Sequence, residues 1–430
     1  MGPYFDALET RSAEERERAL MAALSRQIAH AKAHADAFAE LLTDIDPAAV
    51  TSRAALEALP VTRKHGDFIE RQAKHRETTD VFGGYATVGW NGTPNNKRAR
   101  RVFQSPGPIY EPEGNGGDFE RVARAMFAAG FRPGELVHNS FSYHLTPAGA
   151  MTEAAALALG CTVFPAGVGN TESQLRAILD LRPSCYVGTP SFLRTLIEKA
   201  NEKGMAPLPL RSALVSGEAF PPTARAWLKE RGVEAFQCYL TSDLGLIAYE
   251  TEAREGMVVD ESVIVEIVRP GTADRVRDGE VGELVVTSLN PDYPLIRFGT
   301  GDLSSILPGT CPTGRTNLRI KGWMGRADQT AKVRGMFVHH SLVAEVMRRH
   351  PEIERARLVI TGGSIDGNWQ ADDMVFRVEA AAQPEGLASA IATSVRDVTK
   401  LRSEVELHAV GSLPNDGKLI DDQRAVELPR

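Results

Sequence analysis

A chain of 430 residues exceeds what one compact core usually holds, so at least two structural units are expected. Its 43% hydrophobic and 24% charged residues suit a folded globular protein, and a net charge of -7 supplies no basic face for nucleic acid. No run approaches the roughly 18 apolar residues of a membrane span, and the N-terminus has no signal-peptide pattern, so no membrane is expected and the cytoplasm is the expected compartment. The cysteines at 161, 185, 238 and 311 form no Cys-x-x-Cys pair, which argues against disulfides and a thiolate zinc site.

From residue 11 to about 42 the chain is rich in Ala, Leu, Glu and Arg. Leu20, Leu24, Ile28 and Ala31 recur at helical spacing and predict an amphipathic helix. Residues 83 to 117 are irregular and rich in Gly, Asn and Pro. From about 118, helical runs alternate with short strands. The helices are expected at Phe119–Ala129, Ala148–Leu159, Ser173–Leu181, Ser191–Lys203 and Pro221–Arg231. The strands are expected at Gly134–His138, Gly160–Phe164, Ser184–Gly188, Ser212–Ser216 and Glu234–Tyr239. That alternation predicts an α/β fold with a doubly wound, mostly parallel sheet.

The runs Val263–Val268 and Gly282–Thr287 have no helix between them, which predicts an antiparallel β subdomain. Beyond about 328 a smaller α+β unit is expected. It has helices at His340–Arg349 and Gly386–Val398, and strands at Ala356–Thr361, Met374–Glu379 and Val405–Val410. The division expected is a large N-terminal domain over 1–327 and a small mobile C-terminal domain over 328–430.

In open parallel sheets, ligands bind beyond the carboxyl ends of the strands. The segments at such ends are Tyr143 to Gly149, Gly188-Thr-Pro-Ser191, Ser216-Gly-Glu-Ala-Phe220 and Tyr239-Leu-Thr-Ser-Asp243. Each also reads as an ordinary βα turn. They are followed in order by Tyr293-Pro-Leu-Ile-Arg-Phe-Gly-Thr-Gly-Asp302, Gly325-Arg-Ala-Asp328, Lys332-Val-Arg-Gly335 and Leu413-Pro-Asn-Asp-Gly-Lys418. In this order and spacing the set resembles the adenylate-forming superfamily of acyl-CoA synthetases, and most closely its phenylacetate–CoA ligase branch. The resemblance runs from Leu59-Pro-Val-Thr-Arg-Lys64 to the C-terminal lysine.

The resemblance implies roles by position. Ser216, Gly217 and Glu218 border adenine, and Tyr239 lies against its ring, with Leu240, Thr241 and Ser242 following. Asp243 stands where the family has a magnesium-binding glutamate. Asp302 takes the two ribose hydroxyls and Arg326 lies beside them. A carboxylate accepts two donors at once, and a guanidinium offers a planar fork to oxygen ligands. Asp328 is the hinge, and Lys418 is the catalytic lysine that stabilises charge during adenylation. Lys332 and Gly335 lie near the pantetheine channel. Tyr143, His144, Pro147, Ala148, Gly149 and Ser216 form the acid pocket. His144 and Thr146 make that pocket polar, which suggests a substituted aromatic carboxylic acid.

The cofactors implied are ATP/AMP, Mg2+ and CoA (or another acyl acceptor), with no zinc, and a homodimer is plausible. One motif departs from the pattern. The family's phosphate loop reads roughly Ser-Ser-Gly-Thr-Thr-Gly-Lys-Pro, whereas this chain reads Ser105-Pro-Gly-Pro-Ile-Tyr-Glu-Pro112. Ser105 and Gly107 are retained, but Pro106 and Pro108 remove backbone donors and Glu111 replaces the lysine. Three functions stay open: an ATP-dependent aryl-acid–CoA ligase using Lys97, Arg98, Arg100 or Arg101, an acyltransferase fed with a preformed acyl-adenylate, and a non-catalytic nucleotide-binding protein.

Overall fold

The computed structural model describes the chain except residues 1, 79, 91–96, 107, 269–271, 328–329, 366–367, 415–418 and 425–430. Gly107, Asp328 and Lys418 therefore lie outside the described residues.

The N-terminal helix spans Ala13–His34. Ser12 caps it, accepting from the Glu15 amide, while the Glu15 side chain accepts from the Ser12 amide. Leu20, Leu24, Ile28 and Ala31 are all buried. They pack against a four-stranded sheet of order Thr62–Arg63, Phe298–Ser304, Gly282–Ser288 and Val263–Val268. Val263–Val268 and Gly282–Ser288 run antiparallel, as their helix-free connection predicts.

The largest sheet has nine strands. From one edge these are Ile306–Leu307, Arg319–Ile320, Met257–Val259, Gly245–Glu250, Glu234–Thr241, Ser212–Val215, Cys185–Gly188, Leu136–Asn139 and Thr162–Pro165. The last five are mutually parallel. Their helices cover both faces, giving one core around Met126, Phe131 and Val187 and another around Leu175, Leu193 and Ala213. The doubly wound part is thus present. The other half of the sheet is antiparallel, because Glu234–Thr241 turns straight back into Gly245–Glu250. Every residue of Gly245–Glu250 is buried, so it lacks the alternating pattern that marks a half-exposed strand.

The segment beyond 329 begins with the hairpin Thr330–Val333/Met336–His339. A four-stranded sheet follows, of order Glu404–His408, Asn368–Ala380, Ile353–Ile365 and Ile420–Asp422, packed with helices His340–Arg349 and Leu387–Thr399. Its core is built from residues between 331 and 420. Among the described residues no helix is long and apolar enough to cross a membrane.

Candidate active site

The carboxyl ends of Ser212–Val215 and Glu234–Thr241 open onto a cavity of about 330 Å³, within the range of small-molecule sites. Ser216, Gly217, Glu218, Tyr239 and Asp302 line it. Five residues expected at a nucleotide site, from three separate parts of the sequence, therefore meet here. Leu240 and Thr241 line it too, from within a strand that is longer than the sequence pattern suggested.

Asp302 lies near the end of Phe298–Ser304 and is 4% exposed. Tyr239 donates to its Oδ2 at 2.5 Å. Trp323 Nε1 and Arg326 donate to its Oδ1 at 3.0 and 2.8 Å. Burial and the Asp302 charge hold the Tyr239 phenol well above its usual pKa, so it remains a donor. Three donors fix the carboxylate but leave it further acceptor capacity for a ligand hydroxyl. Trp323 was not foreseen, although it lies two residues before Gly325-Arg-Ala-Asp328.

Glu218 is anchored by Ser191, whose amide and hydroxyl donate to it at 3.2 and 2.8 Å. Burial, then Asp372, pushes its carboxyl up to about 7. The Ser216 hydroxyl donates to the Cys238 carbonyl at 2.9 Å. Gly217 (φ +88°) and Gly335 (φ +84°) approach so closely that a Cβ on Gly217 would lie 3.6 Å from the Gly335 Cα. Lys332, Phe337, Asp372 and Arg424 complete the wall, so both parts of the chain form this cavity.

A second cavity, of about 10 Å³, has room for roughly one water. Pro147, Ser242 and Asp243 line it with Glu111 and Tyr293. The place of the phosphate loop is a two-stranded hairpin, Arg101–Ser105 and Ile109–Glu113, with Ser105 opposite Ile109. Glu111 is 1% exposed, and neither carboxyl oxygen has a hydrogen-bond partner. Burial, then the charge of Asp243, raises its carboxyl well above the usual range, favouring the neutral acid. The repulsive glutamate of the sequence is thus tucked into the fold.

Lys64, from the Leu59–Lys64 motif, donates to Asp243 Oδ2 at 2.5 Å, while Asp243 Oδ1 has no partner. Three of the four cations of the basic run upstream pair with other carboxylates. Lys97 pairs with Asp292, and Arg100 and Arg101 each reach Glu113 at 3.5 Å.

The residues expected to hold the acid are not gathered into the larger cavity, apart from Ser216. Tyr143 is 37% exposed and His144 is exposed. The Tyr143 hydroxyl donates to Glu153 and accepts from Asn139, each at 2.8 Å. Gly149 is buried against Ser142 and Tyr143, and Ala148 opens the helix Ala148–Ala158. The cysteines are buried and unbridged. Among the described residues no three His, Cys, Asp or Glu side chains are placed to share a metal.

A family model described as AMP-binding enzyme matches residues 120–290. A phenylacetate-coenzyme A ligase of Thermus thermophilus is 29% identical over 97% of this chain and 98% of its own length. One from Escherichia coli is 33% identical over 52% of this chain and 53% of its own. Among solved structures, 2-hydroxyisobutyryl-CoA ligase with 2-HIB-AMP and CoA in the thioesterification state is 26% identical. That match covers 99% of this chain and 93% of the other, with a TM-score of 0.88. The same enzyme in its post-adenylation state with 2-HIB-AMP is 27% identical over 98% and 93%, with a TM-score of 0.71. The chain thus carries a segment that matches the AMP-binding enzymes, and along nearly its whole length it is similar to a phenylacetate-coenzyme A ligase and to 2-hydroxyisobutyryl-CoA ligase.

Proposed function

We propose that this chain is an AMP-forming acid–thiol ligase that joins an aromatic carboxylic acid to CoA through an acyl-adenylate. The observation that carries this is the Asp302 carboxylate, fixed by Tyr239, Trp323 and Arg326 at the edge of the 330 Å³ cavity. An adenosine group placed there meets Ser216–Glu218 and Tyr239 at its base and Asp302 at its ribose hydroxyls. Preorganised charge of this kind costs no rearrangement at the moment of reaction.

In the first half-reaction the acid's carboxylate attacks the α-phosphate of ATP, and pyrophosphate leaves. In the second, the CoA thiolate attacks the acyl carbon, and AMP leaves. Lys418 is assigned to the first step and Asp328 to the hinge, both on the resemblance alone. Asp243 has one unpartnered buried oxygen, which suits magnesium, an ion usually held by one or two carboxylates plus substrate phosphates. That ion would neutralise phosphate charge. The higher TM-score with the thioesterification state supports assigning this arrangement to the second half-reaction. The narrow approach of Gly217 to Gly335 would then pass the thiol arm.

The test is carboxylate-dependent pyrophosphate exchange together with thioester formation over a panel of aromatic acids. Activity in both assays supports the ligase. A second reading is favoured by the Lys64–Asp243 pair and the buried Glu111 at the place of the phosphate loop. On that reading the protein uses a preformed acyl-adenylate, which would react with CoA while pyrophosphate exchange stays absent. If neither ATP nor acyl-adenylate is turned over with any acid, both readings are wrong.

A further inference from the structure

Residues 415–418, which include Lys418, are flanked on both sides by residues tied to one strand. Side chains alternate along Ile353–Ile365, so Ala356 and Leu358 enter the core of the C-terminal part while Arg355 and Arg357 face the other way. Across the ladder Arg355 stands opposite Glu379. This charged face holds the near flank. Arg355 Nη1 donates to the Leu413 carbonyl at 3.0 Å, and Arg357 Nη2 donates to the Pro414 carbonyl at 3.2 Å. Glu379 Oε1 accepts from the Leu413 amide at 2.5 Å.

The far flank is held as well. The Leu358 amide donates to the Leu419 carbonyl at 2.9 Å, and Ile420–Asp422 runs parallel to Leu358–Ile360. Arg357 reaches both flanks, because its Nη1 lies 4.0 Å from Asp421 Oδ2. The Leu413 amide, then that of Gly411, hold the Glu379 carboxyl below its usual range, so it stays an anion that accepts from this turn. Ser412 closes the turn on the Ala409 carbonyl, to which its amide and hydroxyl donate at 3.2 and 2.6 Å. Bonds that involve a charged partner are the stronger kind, and Arg357 and Glu379 are both buried.

We propose that Arg355, Arg357 and Glu379 are positioning residues for adenylation, a clamp that fixes the flanks of 415–418 so that Lys418 is presented to the α-phosphate in one place. This rests on the ligase reading above, which assigns Lys418 to the first half-reaction. In that step the carboxylate oxygen bonds to the α-phosphorus, the bond to the bridging oxygen breaks, and the electron pair departs with pyrophosphate. No proton is transferred, so the lysine acts by where its charge stands. Its Cα is one trans-peptide step, about 3.8 Å, from that of Leu419. A segment of four residues fixed at both ends has little conformational freedom left to lose, and a misplacement of about 1 Å can cost about a hundredfold in rate. The clamp lies in the same part of the chain as Lys418, so it travels with the lysine whatever the arrangement of the two parts.

The experiment compares the two half-reactions in the full chain for Arg357→Met, Arg357→Lys and Glu379→Gln. Pyrophosphate exchange reads the first, and single-turnover transfer from synthetic acyl-adenylate to CoA reads the second. In Arg357→Met the kcat of exchange should fall about 10- to 100-fold with the KM for ATP within about twofold of native, while transfer changes by less than about twofold. Arg357→Lys keeps a cation but replaces the fork with a single point of charge, so it should recover part of the loss. Glu379→Gln should slow exchange in the same selective way. Arg357→Met combined with Lys418→Ala should exchange no more slowly than Lys418→Ala alone, because positioning has no effect once the positioned group is gone.

Equal losses in the two half-reactions, or losses that multiply in the double variant, overturn the clamp while leaving the ligase standing. A native chain that shows no exchange with any acid overturns the ligase reading and the clamp's role with it. If Arg357→Met does not fold, Arg357→Lys and Glu379→Gln carry the same comparison.

Discussion

Tyr239 and Asp302 are 63 residues apart, yet the phenol hydrogen sits on the carboxylate at an oxygen–oxygen distance of 2.5 Å. With Trp323 and Arg326 on the other oxygen, the acid is oriented before any ligand arrives. Asp302→Asn keeps the shape but removes the charge and sets an NH2 donor against either Tyr239 or the Trp323–Arg326 pair. Charge-assisted bonds contribute about 1.5–3 kcal/mol, so AMP affinity should fall roughly 10- to 100-fold. Tyr239→Phe should cost less, because Asp302 keeps Trp323 and Arg326. Calorimetry on both variants checks this, and equal losses would contradict the ordering.

Arg297 belongs to the same motif but faces the core rather than the cavity. It is fully buried, pairs with Glu266 through two nitrogens, and donates to the carbonyls of Glu57, Leu59 and Ala273. Arg297→Met strands the Glu266 carboxylate in the interior. The expected loss is about 3–5 kcal/mol of stability, read from denaturant midpoints.

Gly335 occupies a left-handed turn, with Thr189 Cγ2 3.7 Å from where its Cβ would be. Gly335→Val should strain the backbone and narrow the passage beside Gly217. Thioester formation should drop by about two orders of magnitude, with a higher KM for CoA, while pyrophosphate exchange largely survives. Equal loss in the two assays would remove this passage from the thiol route.

Glu120 supplies a pH signature. Burial, then Glu113, raises its carboxyl to about 7, and its Oε2 has no partner. The folded pKa lies above the unfolded one, so its stabilising effect is complete below about 4.5 and disappears as pH rises through 7. Glu120→Gln should therefore be more stable than the native chain at pH 8 by about 3 kcal/mol at most, and close to it at pH 5. Urea midpoints at the two pH values test this, and a constant difference would exclude the titration.

Sequence alone was enough for the alternating helices and strands, the antiparallel pair at 263–288, and the motifs whose Ser216, Tyr239 and Asp302 line one cavity. Those features are local. A periodicity, a turn composition or a short motif is written in neighbouring residues and survives without knowledge of the fold. Contacts between distant segments were not legible. Nothing near Lys64 announces Asp243, 179 residues away. Glu111 looked like a misplaced charge because the residues gathered around it, Asp243 and Tyr293 among them, are distant in the chain. The same holds for Trp323, whose indole matters only because Asp302 faces it. Tertiary structure decided these points because a side chain's charge state and partners depend on distance in space, which chain order does not encode.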